Sequence, residues 1–339
     1  MNTNGKPLFT MFVGLPGSGK SFAADEMRKK GMKIFSSDDL RESTGEKNSA
    51  KVFAELRRGI VESLKNGEDC VLDATNLNRK KRMSFLDDVR RTGAGTKCIL
   101  FVVPPEVCKA RNAARANKHG VTDAVIDRML RSFESPWYSD GFDEIEVKAY
   151  GGEFRPAFSD EDVDAFGQDN DHHGLPLGMH ERKAAEYAEK TLVLTENAPF
   201  VAAAARRHDE GKTLTKGYVD SKGNPSEKAH YYDHEKVGSY LFLLRGFCGG
   251  KLDFPLTKWG ILYVAFLICM HMRTGNAWKL SKKAEDRDRA RIGEDAYRDL
   301  LALNEADRFA KNPSEEDEAE MNRKYMERIS RLKPAPPRA

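Results

Sequence analysis

The stretch Gly14-Leu15-Pro16-Gly17-Ser18-Gly19-Lys20-Ser21 satisfies the pattern GxxxxGK[ST] in full. A segment of this kind joins a buried strand to a helix, because its glycines let backbone N–H groups close on an anion at the helix N-terminus. The flanks agree. Leu8 to Val13 is an apolar run of strand length, and Phe22 to Met27 reads as helix. Gly14, Pro16, Gly17, Ser18 and Gly19 then shape a cradle for the phosphates of ATP or another nucleoside triphosphate. Lys20 reaches the β- and γ-oxygens, and the Ser21 hydroxyl holds Mg²⁺.

With 339 residues, 40% hydrophobic and 32% charged, the chain has room for two ordinary domains. Its formal net charge of +3 excludes a generally basic nucleic-acid coat, so any polyanion site has to come from local clustering. Cys70, Cys98, Cys108, Cys248 and Cys269 form no CxxC pair and no zinc spacing, which predicts reduced thiols and a cytoplasmic location. Met1 to Lys6 is polar, so no secretory leader is expected. The most apolar segment, Trp259 to Met272, is too short for a membrane span and predicts a core helix.

Past the first helix, Met32 to Phe35 predicts a second strand leading to Ser36-Ser37-Asp38-Asp39-Leu40-Arg41, where Ser36 or Ser37 caps a helix. Asp38 and Arg41, three apart, share one helical face. In phosphoryl transfer the carboxylate takes a hydroxyl proton and the arginine holds an acceptor phosphate; the plainer alternative is a capping acid with a surface ion pair. A helix over 48–65 precedes a strand ending at Asp73, at the carboxyl end where open α/β sheets place ligands. Arg79-Lys80-Lys81-Arg82 reads as a solvated basic face rather than a nucleic-acid contact. Lys97 to Val103 predicts a fourth strand, Arg111 and Arg115 stack four apart on the next helix, and Ile145 to Val147 predicts the last strand.

The run GLPGSGKS, SSDDLR, DATNLN and VPPEVCKARNAAR resembles the 5′-hydroxyl polynucleotide kinases of the phage end-healing type, over roughly residues 8–148. The resemblance implies that Asp38 is the general base on a 5′-OH, that Arg41 contacts an acceptor phosphate, and that Arg115 with Arg111 covers the donor phosphates. Some members carry an arginine before the base aspartate where this chain has Ser37. In that family a phosphatase opening with DxDGT often follows. Asp162-Val163-Asp164 fails that pattern, since no apolar strand precedes it and Ala165-Phe166 replaces Gly-Thr.

Gly151-Gly152 and the acidic stretch from Ser159 to Asp164 mark a join, after which alanine- and leucine-rich helices carry nearly all the histidines. His172, His173 and His180 come first, with a helix from Glu181 to Leu194. A helix from Pro199 to Arg207 leads into His208-Asp209-Glu210-Gly211-Lys212, with Gly211 as its stop. His230 and His234 lie in and just past a loop, His271 ends the apolar helix, and Asp307 sits on a later one. Imidazole and carboxylate together suit Mn²⁺, Fe²⁺, Ni²⁺, Co²⁺ or Zn²⁺, and an aspartate has two oxygens with which to bridge two metals.

This pattern resembles the HD phosphohydrolase superfamily over roughly residues 168–312. The resemblance implies His180, His208, Asp209 and Asp307 as ligands of one metal, with His234 and His271 completing a second site through Asp209; His230 is an alternative to His234. It also implies Lys212 as a phosphate-oxygen contact and His173 as an assisting group.

The resulting expectation is an α/β P-loop kinase domain with a parallel sheet over 1–153, an all-α HD domain over 154–312, and a charged, Pro-ended tail over 313–339 read as one exposed helix and a frayed end. The function expected of the pair is bifunctional end healing of RNA or DNA: phosphorylation of 5′-OH ends and hydrolysis of terminal 2′,3′-cyclic, 2′- or 3′-phosphates. A separate ligase is then an expected partner and a membrane is not. Kinase/HD fusions of this type are known in bacterial end-healing enzymes with the domains in the other order. The alternatives are a nucleoside or nucleotide kinase joined to an HD nucleotidase, and a nucleotide-sensing regulatory protein.

Overall fold

The computed structural model describes residues 5–114, 120–152, 154–169, 174–191, 197–253, 255–311 and 315–330. The chain divides into two compact units, Met1–Phe154 with Phe247–Gly249, and Arg155–Gly246 with Gly250–Ala339.

The first unit is an α/β fold. Its elements in order are β1 (Leu8–Val13), α1 (Lys20–Lys29), β2 (Lys33–Ser36), α2 (Ser37–Thr44), α3 (Ser49–Lys65), β3 (Cys70–Asp73), α4 (Arg79–Arg90), β4 (Gly95–Val102), α5 (Pro105–Ala114), α6 (Asp123–Arg131) and β5 (Glu144–Ala149). The five strands form one parallel sheet in the order β2-β3-β1-β4-β5. Central strands of such a sheet are covered on both faces, so β1 and β3 read as unbroken apolar runs: Phe9, Met11, Phe12, Val13, Val71 and Leu72 are all buried. Because every strand points the same way, the segments following β1, β2 and β3 emerge together at one edge.

Arg79-Lys80-Lys81-Arg82 departs from the expected solvated face. Lys80 and Lys81 are exposed, but Arg79 and Arg82 turn inward onto Asp140. Arg79 Nε donates to Asp140 Oδ1 at 2.7 Å, and Arg82 donates from Nε (2.9 Å) and Nη2 (2.7 Å) to Oδ2, with both Arg82 and Asp140 fully buried. Positions i and i+3 of a helix share a face, so two of the four charges had to point one way. They do so because a carboxylate waits there.

The second unit is helical: α7 (Asp160–Ala165), α8 (Leu177–Thr191), α9 (Ala198–Ala205), α10 (Lys212–Thr215), then, after a hairpin, α11 (His234–Phe247), α12 (Lys258–Met270), α13 (Lys282–Ile292), α14 (Glu294–Phe309) and α15 (Glu315–Ser330). The expected all-α composition needs one correction, the antiparallel hairpin β6 (Gly217–Val219) and β7 (Pro225–His230). Its turn is held by Asp220 Oδ1, which accepts from the amides of Lys222 and Asn224 at 2.8 Å each. Pro225 to His230 is polar and mostly exposed, so it lacks the alternation that marks a half-buried strand.

Helix α12 is buried all round from Gly260 to Met270 and packs against α9 and α14, as a uniformly apolar core helix must. Helix α15 is not merely exposed: Tyr325 is buried, and Tyr187 on α8 donates to Asn322 at 2.6 Å. Ser159 and Asp162 form a capping box on α7, a structural role for the acidic join. All five cysteines are free and buried, and burial pushes Cys70 and Cys108 up to about 12. Among the described residues no helix is long and apolar enough to cross a membrane.

Substituting Asp140→Ala leaves two buried guanidiniums without the carboxylate they share. It is expected to destabilise the chain by about 3–5 kcal/mol in urea unfolding, whereas Asp25→Ala, which removes an exposed pair with Arg28, stays within about 0.5 kcal/mol. Equal midpoints for the two variants would contradict the buried pairing.

Candidate functional site

The loop between β1 and α1 is pinned from both sides. The Gly14 amide donates to Thr75 O at 3.1 Å, the Ser18 amide to Leu15 O at 3.2 Å, and Lys20 Nζ to Leu15 O at 2.7 Å. Gly17 has φ +80, and a Cβ there would lie 2.3 Å from Cys108 O, so neither the conformation nor the space admits a side chain. Asp73, at the end of β3, is buried beside Lys20 and Ser21. Burial pushes its carboxyl up, and the Lys20 ammonium and Ser21 hydroxyl pull it partly back. Lysine, serine hydroxyl and carboxylate thus meet at the mouth of the loop, the donor set that Mg²⁺ with a nucleotide phosphate requires.

Ser36 caps α2 by accepting from the Asp39 amide at 3.1 Å, which sets Asp38 in the first helical turn. The Asp38 side chain is 66% exposed; Arg41 Nη1 lies 3.7 Å from it and donates to Ser37 O at 3.1 Å. Both residues line a cleft of 1660 Å³ together with Lys20, Ser21 and Asp73. The cleft continues along α3 and α4, where Arg58, Lys65, Lys80, Lys81 and Arg91 line it. Arg111 does not face this cleft. It stacks on Tyr150, 5.6 Å from the ring centroid, and lines a separate hollow of 300 Å³ with Ser18, Gly19, Phe22 and Lys148. Arg115 lies outside the described residues, as do His172 and His173.

In the second unit, five elements converge on one buried carboxylate. Asp209 Oδ2 lies 3.6 Å from His180 Nε2 and 3.4 Å from His208 Nε2, while Oδ1 lies 3.1 Å from His234 Nε2 and 3.8 Å from His271 Nε2. Asp307 Oδ1 completes the first set, 3.1 Å from His180 and 3.6 Å from His208. Two groups of side chains result, His180-His208-Asp209-Asp307 and Asp209-His234-His271, each with its ligand atoms within 4.8 Å of one another.

The tautomers are fixed by the backbone. Nδ1 of His208, His234 and His271 lies 2.9, 2.7 and 2.7 Å from the carbonyls of Ala205, Tyr231 and Ile268, each three residues earlier. A carbonyl only accepts, so Nδ1 carries the hydrogen, and in the neutral ring Nε2 turns its lone pair inward. Nε2 of His208 and His234 and Oδ1 of Asp307 are buried without a hydrogen-bond partner among the described residues. The donor set therefore fits one or two divalent transition metals.

Burial disfavours charge on His208, but Asp209 and Asp307 outweigh it and hold its pKa well above the ordinary imidazole value. Burial likewise opposes the charges of Asp209 and Asp307; Lys212 and His208 beside the first, and His180 and His208 beside the second, bring both well below the carboxylate range. His271 is pushed down to about 3 by burial and by the neighbouring histidines. Lys212 is buried, with Nζ 2.7 Å from Asp209 Oδ2 and donating to Gln168 Oε1 at 2.7 Å, so in this state it engages the shared carboxylate.

Two expectations need correction. Gly211 does not stop a helix in the left-handed conformation: α9 ends at Ala205, and Gly211 has φ −60. A Cβ there would lie 2.1 Å from His234 O, so the glycine lets α11 approach the doublet. His230 is not exchangeable with His234. Its ring stacks on Tyr232, and its Nε2 lies 3.1 Å from Ser226 Oγ.

Sequence reasoning missed Glu181, whose Oε1 accepts from the Asp209 amide at 3.1 Å and which burial pushes up to about 8. It also missed the ion cluster of Arg207, Arg245, Glu210, Asp160 and Asp253 that braces the doublet's turn. The basic pair Arg206-Arg207 followed closely by the acidic pair Asp209-Glu210 was the local signal for the latter.

Residues 9–136 match the family model AAA_33, an AAA domain. The transcription factor bHLH140 of Arabidopsis thaliana is 26% identical over 164 residues, a match taking in 47% of this chain and 17% of that protein's length. Among solved structures, the chain is similar to one from the Pnkp1/Rnl/Hen1 RNA repair complex (23% identity, TM-score 0.33, 39% of this chain and 45% of that one). A gluconokinase from Sinorhizobium meliloti 1021 gives 20% identity and TM-score 0.31, over 42% of this chain and 82% of that one. The APS kinase CysC of Mycobacterium tuberculosis gives 17% and 0.31, over 42% and 88%. The first unit thus combines a five-stranded parallel α/β fold with a complete P-loop motif, within the stretch that matches the AAA domain.

Titration calorimetry with Mn²⁺ is expected to show binding that tightens as pH rises from 6 to 8. The raised pKa of His208 means that ligation must displace its proton, so affinity gains up to about tenfold per pH unit while that proton is bound. Asp209→Ala should abolish binding, and His234→Ala should remove only the second equivalent. Affinity independent of pH, or untouched by Asp209→Ala, would contradict the cluster's role.

Proposed function

We propose that the chain is a bifunctional nucleic-acid end-healing enzyme, with a 5′-hydroxyl kinase over residues 1–153 and an HD-type phosphohydrolase over 154–312. The observation that carries this reading is the presence on one chain of two sites built for phosphoryl groups: a P-loop with Asp38 facing a cationic cleft, and a buried His/Asp cluster divided about one carboxylate. The cleft is larger than a small-molecule site commonly needs, and its cationic wall favours a polyanionic acceptor over a free nucleoside.

In the kinase half the Asp38 carboxylate takes the proton of the 5′-OH as its oxygen bonds to the γ-phosphorus, and the bond to the β-phosphate oxygen breaks to release ADP. Lys20 neutralises the transferring phosphate, Ser21 and Asp73 hold Mg²⁺, and Arg41 steadies the acceptor. Arg111 with Tyr150 and Phe22 forms a seat for the donor nucleobase, and the lid role falls to Arg115. In the other half, His180, His208, Asp209, Asp307, His234 and His271 would hold the metals, which would supply Lewis-acid activation of water. Asp209 keeps its two oxygens apart for the two ligand sets, and Lys212 swings from Asp209 to a phosphate oxygen of the substrate.

The test is the intact mass of a short RNA bearing a 5′-OH and a 2′,3′-cyclic phosphate, incubated with ATP, Mg²⁺ and Mn²⁺. A phosphate should appear at the 5′ end and be lost from, or opened at, the other. Asp38→Ala should block only the first change and Asp209→Ala only the second, each by about 10²-fold or more. Labelling of free nucleosides with both RNA ends untouched would sink the polynucleotide assignment.

A further inference from the structure

His230 belongs to neither ligand set, yet the fold presents it with care. Its ring and that of Tyr232 are parallel within 4°, with centroids 5.4 Å apart, and the Tyr232 hydroxyl lies 3.4 Å from His230 Nδ1. Tyr232 is 45% exposed, unusual for a large ring that a fold could bury.

The stack is tied to the cluster through the backbone. Tyr231 O accepts from the ligand His234 at 2.7 Å, and the Lys212 ammonium sits 5.4 Å from the Tyr231 ring centroid. Tyr232 is two residues from His234, so their Cα atoms lie within about 7.5 Å of each other. Asp233, at φ +64, makes the bend that separates the exposed ring from the buried imidazole. A flat stack with one ring open to solvent, beside a site for a terminal phosphate, has the chemistry of a nucleobase platform.

We infer that the His230–Tyr232 pair stacks on the terminal nucleobase of a single strand whose end phosphate is handled by the His/Asp cluster. The inference rests on the end-healing reading and gives it a substrate feature, a base beside the scissile phosphoester. A protein or lipid partner would not need the ring placed one short bend from a buried ligand.

The probe is an RNA trinucleotide with a 5′-phosphate, a non-hydrolysable 3′-phosphonate and 2-aminopurine as its last base, bound to the full Mn²⁺-loaded chain without ATP. Wild type should quench the fluorophore. Tyr232→Ala should lose the quenching and bind roughly tenfold more weakly, while Tyr232→Phe keeps both. An oligomer abasic at that position should bind wild type and Tyr232→Ala alike. Tyr232→Ala quenching and binding as wild type does, a loss of equal size with the abasic oligomer, or no quenching by wild type would each overturn the platform. Removal of the 3′-phosphate from the hydrolysable trinucleotide, read by mass, separates the two failures. Processing without quenching sinks the platform alone, and absence of both sinks the end-healing reading with it.

Discussion

The second unit depends on a single buried carboxylate. Asp209 offers one oxygen to His180 and His208 and the other to His234 and His271, so four segments of chain must arrive at one point, and a fifth brings Asp307 to the first two histidines. The fold meets that demand with a core helix, α12, whose end delivers His271, and with a glycine at 211 that lets α11 come close enough to deliver His234. A charge so deeply buried is tolerable only when surrounded by partners. Lys212, His208 and His234 provide the surroundings.

In the first unit the constraint is directional. A parallel sheet sends the chain back to the same edge after each strand, so the P-loop, Asp38 and Asp73 meet although they are spread over some sixty residues of sequence. The helices α3 and α4 extend that edge into a cleft whose wall is cationic, while Arg79 and Arg82 brace α4 from inside. One basic run therefore does two things: its outward lysines line the cleft, and its inward arginines hold the helix that carries them.

Much of this was legible in the sequence where chemistry and spacing coincide. The P-loop declares its strand and helix, Asp73 falls at a strand end, and the histidines and late aspartate stand on successive helices. What stayed hidden depended on distant partners. The burial of Arg79 and Arg82 requires Asp140, some sixty residues on; the role of Gly211 requires His234; and the hairpin has too little buried surface to alternate. Nothing local distinguished His230 from His234 within AHYYDHE. A bend at Asp233 decides it by placing one ring in the core and the other in a surface stack. Arg111, similarly, was read by its spacing to Arg115, but the structure gives it to Tyr150 and a different hollow.

The two units build their sites from different chemistry. The first brings a lysine, a hydroxyl and a carboxylate to one edge of a parallel sheet; the second uses imidazoles, and in His208, His234 and His271 the carbonyl three residues earlier holds Nδ1 so that Nε2 points inward. The direct test of the account is anomalous diffraction at the manganese edge from crystals soaked in Mn²⁺. Two peaks flanking the Asp209 carboxylate are predicted, one beside His180, His208 and Asp307 and the other beside His234 and His271. Crystals with occupied Mn²⁺ elsewhere but no peak within coordinating distance of Asp209 would contradict it.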